Sequence, residues 1–102
     1  MTRKDILLEA SKCVCGDRQR DYGTPEDNFA TIAKLWNAYL GDNVCDANDV
    51  AMMMALLKIA RIRTGAKTPD SYIDLAGYAA CGGEIGTKAK PMNIRLREAH
   101  LE

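Results

Sequence analysis

The chain has 102 residues, and its 14 Lys and Arg residues balance its 14 Asp and Glu residues. A chain without net charge has no overall field to attract DNA, RNA or a membrane surface, so any anion site must be local. The N-terminal stretch lacks the pattern of a signal peptide, and no apolar run is long enough to cross a bilayer. We therefore expect a single domain in the cytoplasm, with neither a membrane nor a nucleic-acid partner.

Four segments have the apolar periodicity of helices, and none has the alternation of a strand. The predicted helices are Ile6–Cys15, Pro25–Leu40, Ala47–Thr64 and Pro69–Ile85. Their starts carry capping residues or a Thr-Pro pair, and glycine follows each of the first three. The pattern predicts an all-α four-helix bundle over residues 1–86, with residues 87–102 forming a basic tail or a short helix.

The third predicted helix is apolar on every side from Val50 to Leu57, which is typical of a central, buried helix. Its second half carries Lys58 and Arg61, three residues apart and so on one face. Two interpretations follow. The two cations bind an anionic ligand, or they reach solvent at a helix C-terminus, where cations are favoured anyway.

The fourth predicted helix contains three glycines, Gly77, Gly82 and Gly83, although each lowers helix propensity by about 1 kcal/mol relative to Ala. Its small face, which includes Ala76, Ala79 and Ala80, favours close packing against another backbone. Together with the apolar third helix, this pattern predicts a homo-oligomer with a binding site at the subunit junction.

Three polar groups are candidates for a site. Arg18, Arg20 and Tyr22 precede the second helix, whose first turn offers free N–H groups and Asn28. Lys58 and Arg61 form the second group. The third is Asp70, Asp74 and Tyr78, spaced by four along one helix face. Asp74 lies in an apolar run and needs a partner, so an internal ion pair with Lys58 or Arg61 is the structural alternative to ligand binding.

A metal is a further alternative, because paired carboxylates at helical spacing can hold Mg²⁺. The candidates are Asp46, Asp49, Asp70 and Asp74, although helix capping explains both pairs equally well. The four cysteines form no CxxC pair, which favours reduced thiols over zinc. The first expectation is therefore no cofactor, with Mg²⁺ only if the protein is an enzyme.

Several motifs resemble a small, uncharacterised family of phage and prophage proteins. They are Asp21-Tyr22-Gly23-Thr24-Pro25 with Asn28-Phe29, Asp49-Val50-Ala51-Met52-Met53, Leu57-Lys58-Ile59-Ala60-Arg61, and Asp70-Ser71 with Asp74-Leu75-Ala76-Gly77-Tyr78. More distantly, the helical layout is similar to the MazG-like nucleotide pyrophosphohydrolases. That resemblance implies an all-α bundle and nucleotide ligands. This chain has no acidic residue between Phe29 and Leu40, where those enzymes place catalytic carboxylates.

The resulting hypothesis is a phage-type protein that binds a phosphate-bearing nucleotide derivative without hydrolysing it, as a sponge for a bacterial immune signal would. Arg18, Arg20, Lys58 and Arg61 would contact phosphate. Tyr22, Trp36 or Tyr78 would stack on a base, and Asn28 would bind its edge or a ribose. The runner-up is a Mg²⁺-dependent nucleoside triphosphate pyrophosphohydrolase, and a structural or protein-interaction module comes third.

Overall fold

A computed structural model describes residues 1–16 and 23–88 of the chain. Four helices account for most of this part: α1 (Arg3–Cys15), α2 (Pro25–Leu40), α3 (Ala47–Thr64) and α4 (Pro69–Thr87). No strand occurs within the described ranges. The predicted all-α, four-helix fold is confirmed; α1 begins three residues earlier than predicted, and α4 ends two residues later. The tail predicted for residues 87–102 lies outside the described residues from position 89 onward.

Reciprocal side-chain caps begin α1 and α3. At α1, the Asp5 N–H donates to Thr2 Oγ1 at 3.2 Å, and the Thr2 N–H donates to Asp5 Oδ2 at 3.0 Å. At α3, Asp46 and Asp49 exchange the same pair of bonds, at 2.9 and 3.0 Å. These bonds satisfy N–H groups that a helix start leaves without partners.

The two Thr-Pro starts differ. Thr24 Oγ1 accepts the Asp27 N–H at 3.2 Å and so caps α2. Thr68 has the extended backbone of an N-cap but makes no side-chain capping bond. Pro69 alone therefore marks the start of α4, since its fixed φ suits a first helical position.

A small apolar core joins α2, α3 and α4. Its buried members are Phe29, Ala33, Val50, Ala51 and Cys81. Helix α3 packs against α4 and α2, while α1 packs against α4. Because the buried residues are mostly small, the helices approach closely and the core remains thin.

The expectation that α3 is buried on every side is wrong for the single chain. Its buried residues are Val50, Ala51 and Ala55. The opposite side carries exposed apolar side chains, 40–63% accessible: Met52, Met53, Leu56, Leu57 and Ile59. Two packed neighbours cover only one side of a helix, so an all-round apolar sequence leaves its other side uncovered.

Glycines of α4 are used inside the chain. A Cβ at Gly77 would lie 3.2 Å from Val14 Cγ1 of α1. A Cβ at Gly82 would lie 2.5 Å from Met52 Cε and 3.1 Å from Ala51 Cβ of α3. The predicted close packing is therefore present, but its partners here are α1 and α3. Gly83, by contrast, faces open space.

Asn37 holds the connection between α2 and α3. Its Oδ1 accepts the N–H groups of Val44 and Cys45 at 3.0 and 2.8 Å. Its Nδ2 donates to the Cys45 carbonyl at 2.9 Å and to Asn43 Oδ1 at 3.2 Å. This side chain thus provides hydrogen-bond partners for backbone groups that have none within regular secondary structure.

None of the helices in the described ranges is both long and apolar enough to span a membrane.

Candidate functional site

A cavity of about 530 Å³ opens where α1, the start of α2, α3 and α4 meet. Its polar lining residues are Lys12, Asn28, Lys58, Asp74 and Tyr78. Its apolar lining includes Val14, Phe29, Ile73 and Cys81. Together these residues form a largely apolar pocket with a few polar groups on its walls.

The most polar wall of the cavity is a salt bridge between α3 and α4. Lys58 Nζ lies 2.9 Å from Asp74 Oδ2. The Lys58 side chain is 15% exposed, whereas that of Asp74 is 41% exposed. The Lys58 side chain therefore has less access to water than that of Asp74, so we expect loss of the partner to cost more at Lys58 than at Asp74. This is the internal ion pair that the sequence offered as the alternative to phosphate binding.

An aromatic wall stands one helical turn from Asp74. The Tyr78 ring packs against that of Phe29, with centroids 6.1 Å apart and planes tilted by 33°. Phe29 is buried and Tyr78 is partly exposed, so the core fixes one ring and the cavity exposes the other. Asn28 precedes Phe29 in α2 and also lines the cavity.

Lys12 is a lining residue that the sequence reading missed. Its Nζ lies 3.1 Å from Glu9 Oε1, and both side chains are well exposed. A Lys three residues after a Glu is typical of a solvated helix surface. Only the packing of α1 on α4, seen in the contact of Val14 with Gly77, brings Lys12 to the cavity.

Other predicted residues lie elsewhere. Among the residues that the structure describes, the cavity lining includes neither Trp36 nor Arg61. Trp36 packs against the core, and Arg61 is exposed. Lys58 and Arg61 therefore do not form a two-cation clamp in this cavity. Arg18, Arg20 and Tyr22 lie outside the described residues.

The acidic residues proposed for Mg²⁺ are not brought together. Asp46 and Asp49 cap α3, Asp70 is exposed at the start of α4, and Asp74 pairs with Lys58. Within residues 1–16 and 23–88, no group of three or more His, Cys, Asp or Glu side chains is placed to hold a metal ion. The four cysteines, all in this part of the chain, form no disulfide; Cys13 and Cys15 are exposed.

The start of α2, an expected anion site, is already occupied by acidic groups of the chain. A hydrogen bond from its own backbone N–H lowers the pKa of Glu26, and Lys88 lowers it further. The Lys88 Nζ to Glu26 Oε1 distance is 3.3 Å, which ties the end of α4 to the start of α2. A ligand anion would have to compete with this carboxylate for the positive end of the helix.

Comparison with known proteins places the chain among phage proteins. A family model described as "Domain of unknown function (DUF6378)" matches residues 5–86. The "Gene 55 protein" of Mycobacterium phage D29 is 44% identical over 78 residues, which are 76% of this chain and 51% of that protein. The "Gene 55 protein" of Mycobacterium phage L5 is 43% identical over 74 residues, 72% of this chain and 47% of that protein.

The chain thus spans about half the length of the curated relatives it matches. No solved structure matches it. The family match covers all four helices of the fold except the first two residues of α1 and the last of α4. The chain belongs to the DUF6378 family, a family of phage proteins.

Proposed function

We propose that this protein binds a phosphate-bearing, nucleotide-derived small molecule in the cavity between its helices and does not hydrolyse it. The observation that supports the proposal is the lining of the cavity, where the Lys58–Asp74 pair and the Tyr78 ring border an apolar floor. Its volume of about 530 Å³ lies within the range usual for small-molecule sites.

Four of the five polar lining residues can contact such a ligand directly. The Lys58 ammonium has three N–H donors; Asp74 takes one, which leaves others for a phosphate oxygen. The half-exposed Asp74 carboxylate would accept a bond from a ribose hydroxyl or a base amino group. Tyr78 offers a face for stacking, and the Asn28 amide can pair with a base edge.

In a phage protein, binding without turnover would remove a nucleotide from use by the host. We propose that the protein acts in this way in the host cytoplasm, as a homo-oligomer, on a nucleotide signal of bacterial immunity. A distant relation to MazG-like pyrophosphohydrolases would account for the helical layout, and it makes Mg²⁺-dependent hydrolysis the competing function. Asp46 and Asp49 are used in capping α3 and Asp70 is exposed at the start of α4, which favours binding over hydrolysis. A purely structural or protein-interaction role is the third candidate.

Native mass spectrometry of protein purified gently from cells tests the proposal first, because it reports retained ligand and subunit number together. Calorimetric titration with ATP, ADP-ribose and a cyclic dinucleotide follows, using the wild type, Lys58→Met and Lys34→Met. Lys34 is an exposed lysine of α2 and serves as the matched control.

We expect stoichiometric binding of at least one probe, recovered chemically intact. Lys58→Met should weaken this binding roughly 10- to 150-fold, the equivalent of losing a charge-assisted contact of about 1.5–3 kcal/mol. Lys34→Met should leave it unchanged. Binding of no probe, or Mg²⁺-dependent release of pyrophosphate at about 1 s⁻¹ or faster, would refute the proposal.

A further inference from the structure

A row of residues on α3 is exposed to solvent on the side away from Val50 and Ala55, although Met52, at the edge of the row, also reaches Gly82 of α4. Positions 49, 52, 53, 56, 59, 60 and 63 are all exposed. The middle of the row is apolar: Met52, Met53, Leu56, Ile59 and Ala60. An acid, Asp49, stands at one end and a base, Arg63, at the other. Leu56, at the centre, is 63% exposed.

The row follows one face of the helix, with positions three, four and seven residues before and after Leu56. Leu57, which is 42% exposed, lies beside this face. Asp49, Leu56 and Arg63 are seven residues apart, the repeat of helices that pack side by side along a seam. At about 1.5 Å per residue, the row is about 21 Å long.

We propose that this row is the dimer interface of the protein, and that its occupant is α3 of a second copy, running antiparallel about a two-fold axis at Leu56. In this register Leu56 meets Leu56 of the partner subunit. Asp49 then lies opposite Arg63 of the partner subunit, and the same ion pair recurs at the other end. A parallel arrangement would instead set Asp49 against Asp49 and Arg63 against Arg63. The charge pattern therefore selects the antiparallel pair.

The pattern is self-complementary, which is what a two-fold interface requires. A lipid surface would leave Asp49 facing apolar chains, and an unrelated protein would not require opposite charges at equal distances from Leu56. Asp49 remains available to the partner although it caps α3, because the capping bond uses one of its two carboxylate oxygens, Oδ2. The interface deepens the homo-oligomer part of the proposed function, and it requires no ligand.

The test is the mass of the protein in solution, measured by sedimentation of the 102-residue chain over a range reaching tens of micromolar, a concentration suited to weak association. Leu56→Glu should raise the dimer dissociation constant roughly a hundredfold or more, because each dimer loses both leucine side chains at its centre and places two like charges there. Leu7→Glu is the matched control, since Leu7 is also 63% exposed but lies on α1, which packs against α4. It should leave the dimer intact.

Charge reversal tests the direction of the pairing. Arg63→Asp alone and Asp49→Arg alone should each weaken the dimer, and the two together should restore most of it. Circular dichroism checks that each variant retains its helices. A wild-type monomer at tens of micromolar, equal effects of Leu56→Glu and Leu7→Glu, or a double reversal weaker than either single change would each overturn the proposal. No nucleotide enters these measurements, so their failure would leave the ligand-binding proposal standing.

Discussion

The unequal burial of Lys58 and Asp74 predicts unequal costs when either partner is removed. Asp74→Ala leaves an ammonium group whose side chain is only 15% exposed. Loss of a partner in a fully buried pair costs about 3–5 kcal/mol, and the remaining access to water reduces this to about 2 kcal/mol of unfolding free energy. Lys58→Met keeps the apolar stem and leaves a carboxylate that is 41% exposed, so it should cost about 0–1 kcal/mol.

Urea unfolding followed by far-UV circular dichroism measures these differences, with all variants at one protein concentration and with unchanged m-values. The double variant Lys58→Met/Asp74→Ala should be more stable than the sum of the single changes by about 1–2 kcal/mol, since neither charge then lacks a partner. Lys34→Met, on the exposed side of α2, should stay within about 0.5 kcal/mol of the wild type. Equal costs for Lys58→Met and Asp74→Ala, or additive effects of the two changes, would contradict this prediction.

Three further changes probe the fold. Gly83→Ala should raise the unfolding free energy by about 0.5–1 kcal/mol, because alanine has the higher helix propensity. Gly82→Ala should lower it by about 1 kcal/mol, because the added methyl group would meet side chains of α3. Thermal melts of the two variants compare these effects directly. Asn37→Ala should cost about 2–3 kcal/mol by urea unfolding, since it removes four hydrogen bonds from one loop; an effect below 1 kcal/mol would contradict this. A hydrogen bond from the Thr2 backbone, aided by the Thr2 hydroxyl, lowers the pKa of Asp5. The cap of α1 therefore contributes fully above the usual carboxyl pKa and is lost as pH falls through the lowered pKa of Asp5. Amide exchange at the start of α1, measured as a function of pH, would detect this loss.

The helix ends were predictable because their chemistry is local. Thr24-Pro25 and the Asp46–Asp49 box lie within a few residues of the N–H groups that they serve, so the sequence contains both donor and acceptor. Gly41 likewise ends α2 in the left-handed backbone region, with φ of 74°. Residues other than glycine rarely adopt this conformation. Such features require no knowledge of the neighbouring helices.

Packing partners were not predictable in this way. The glycines of α4 indicated a close approach, but a small surface does not specify its neighbour, and Gly77 and Gly82 face α1 and α3. An all-round apolar α3 similarly gives no indication of which side the chain covers. An internal pair of Asp74 with Lys58 or Arg61 was one of two interpretations, because a partly buried carboxylate needs a cation; the sequence did not indicate which cation, and the structure shows Lys58. Lys12 was missed because its neighbour Glu9 made it look like a surface residue.

The two proposals use different sides of α3, so ligand binding and dimerisation can be tested separately. Lys58 and Leu56 are two residues apart, which places them about 160° apart around the helix axis, on nearly opposite sides. Lys58 lines the cavity from the side of α3 away from Leu56, so we expect the dimer to leave the cavity intact rather than complete it. Leu56→Glu should therefore yield a monomer that still binds nucleotide with wild-type affinity, and Lys58→Met should yield a dimer that binds it weakly. Calorimetry and sedimentation on the same two samples measure all four quantities. If Leu56→Glu abolished binding while its helices persisted, the site would have to lie across the subunit junction, and the assignment of the ligand to the cavity of a single chain would be wrong.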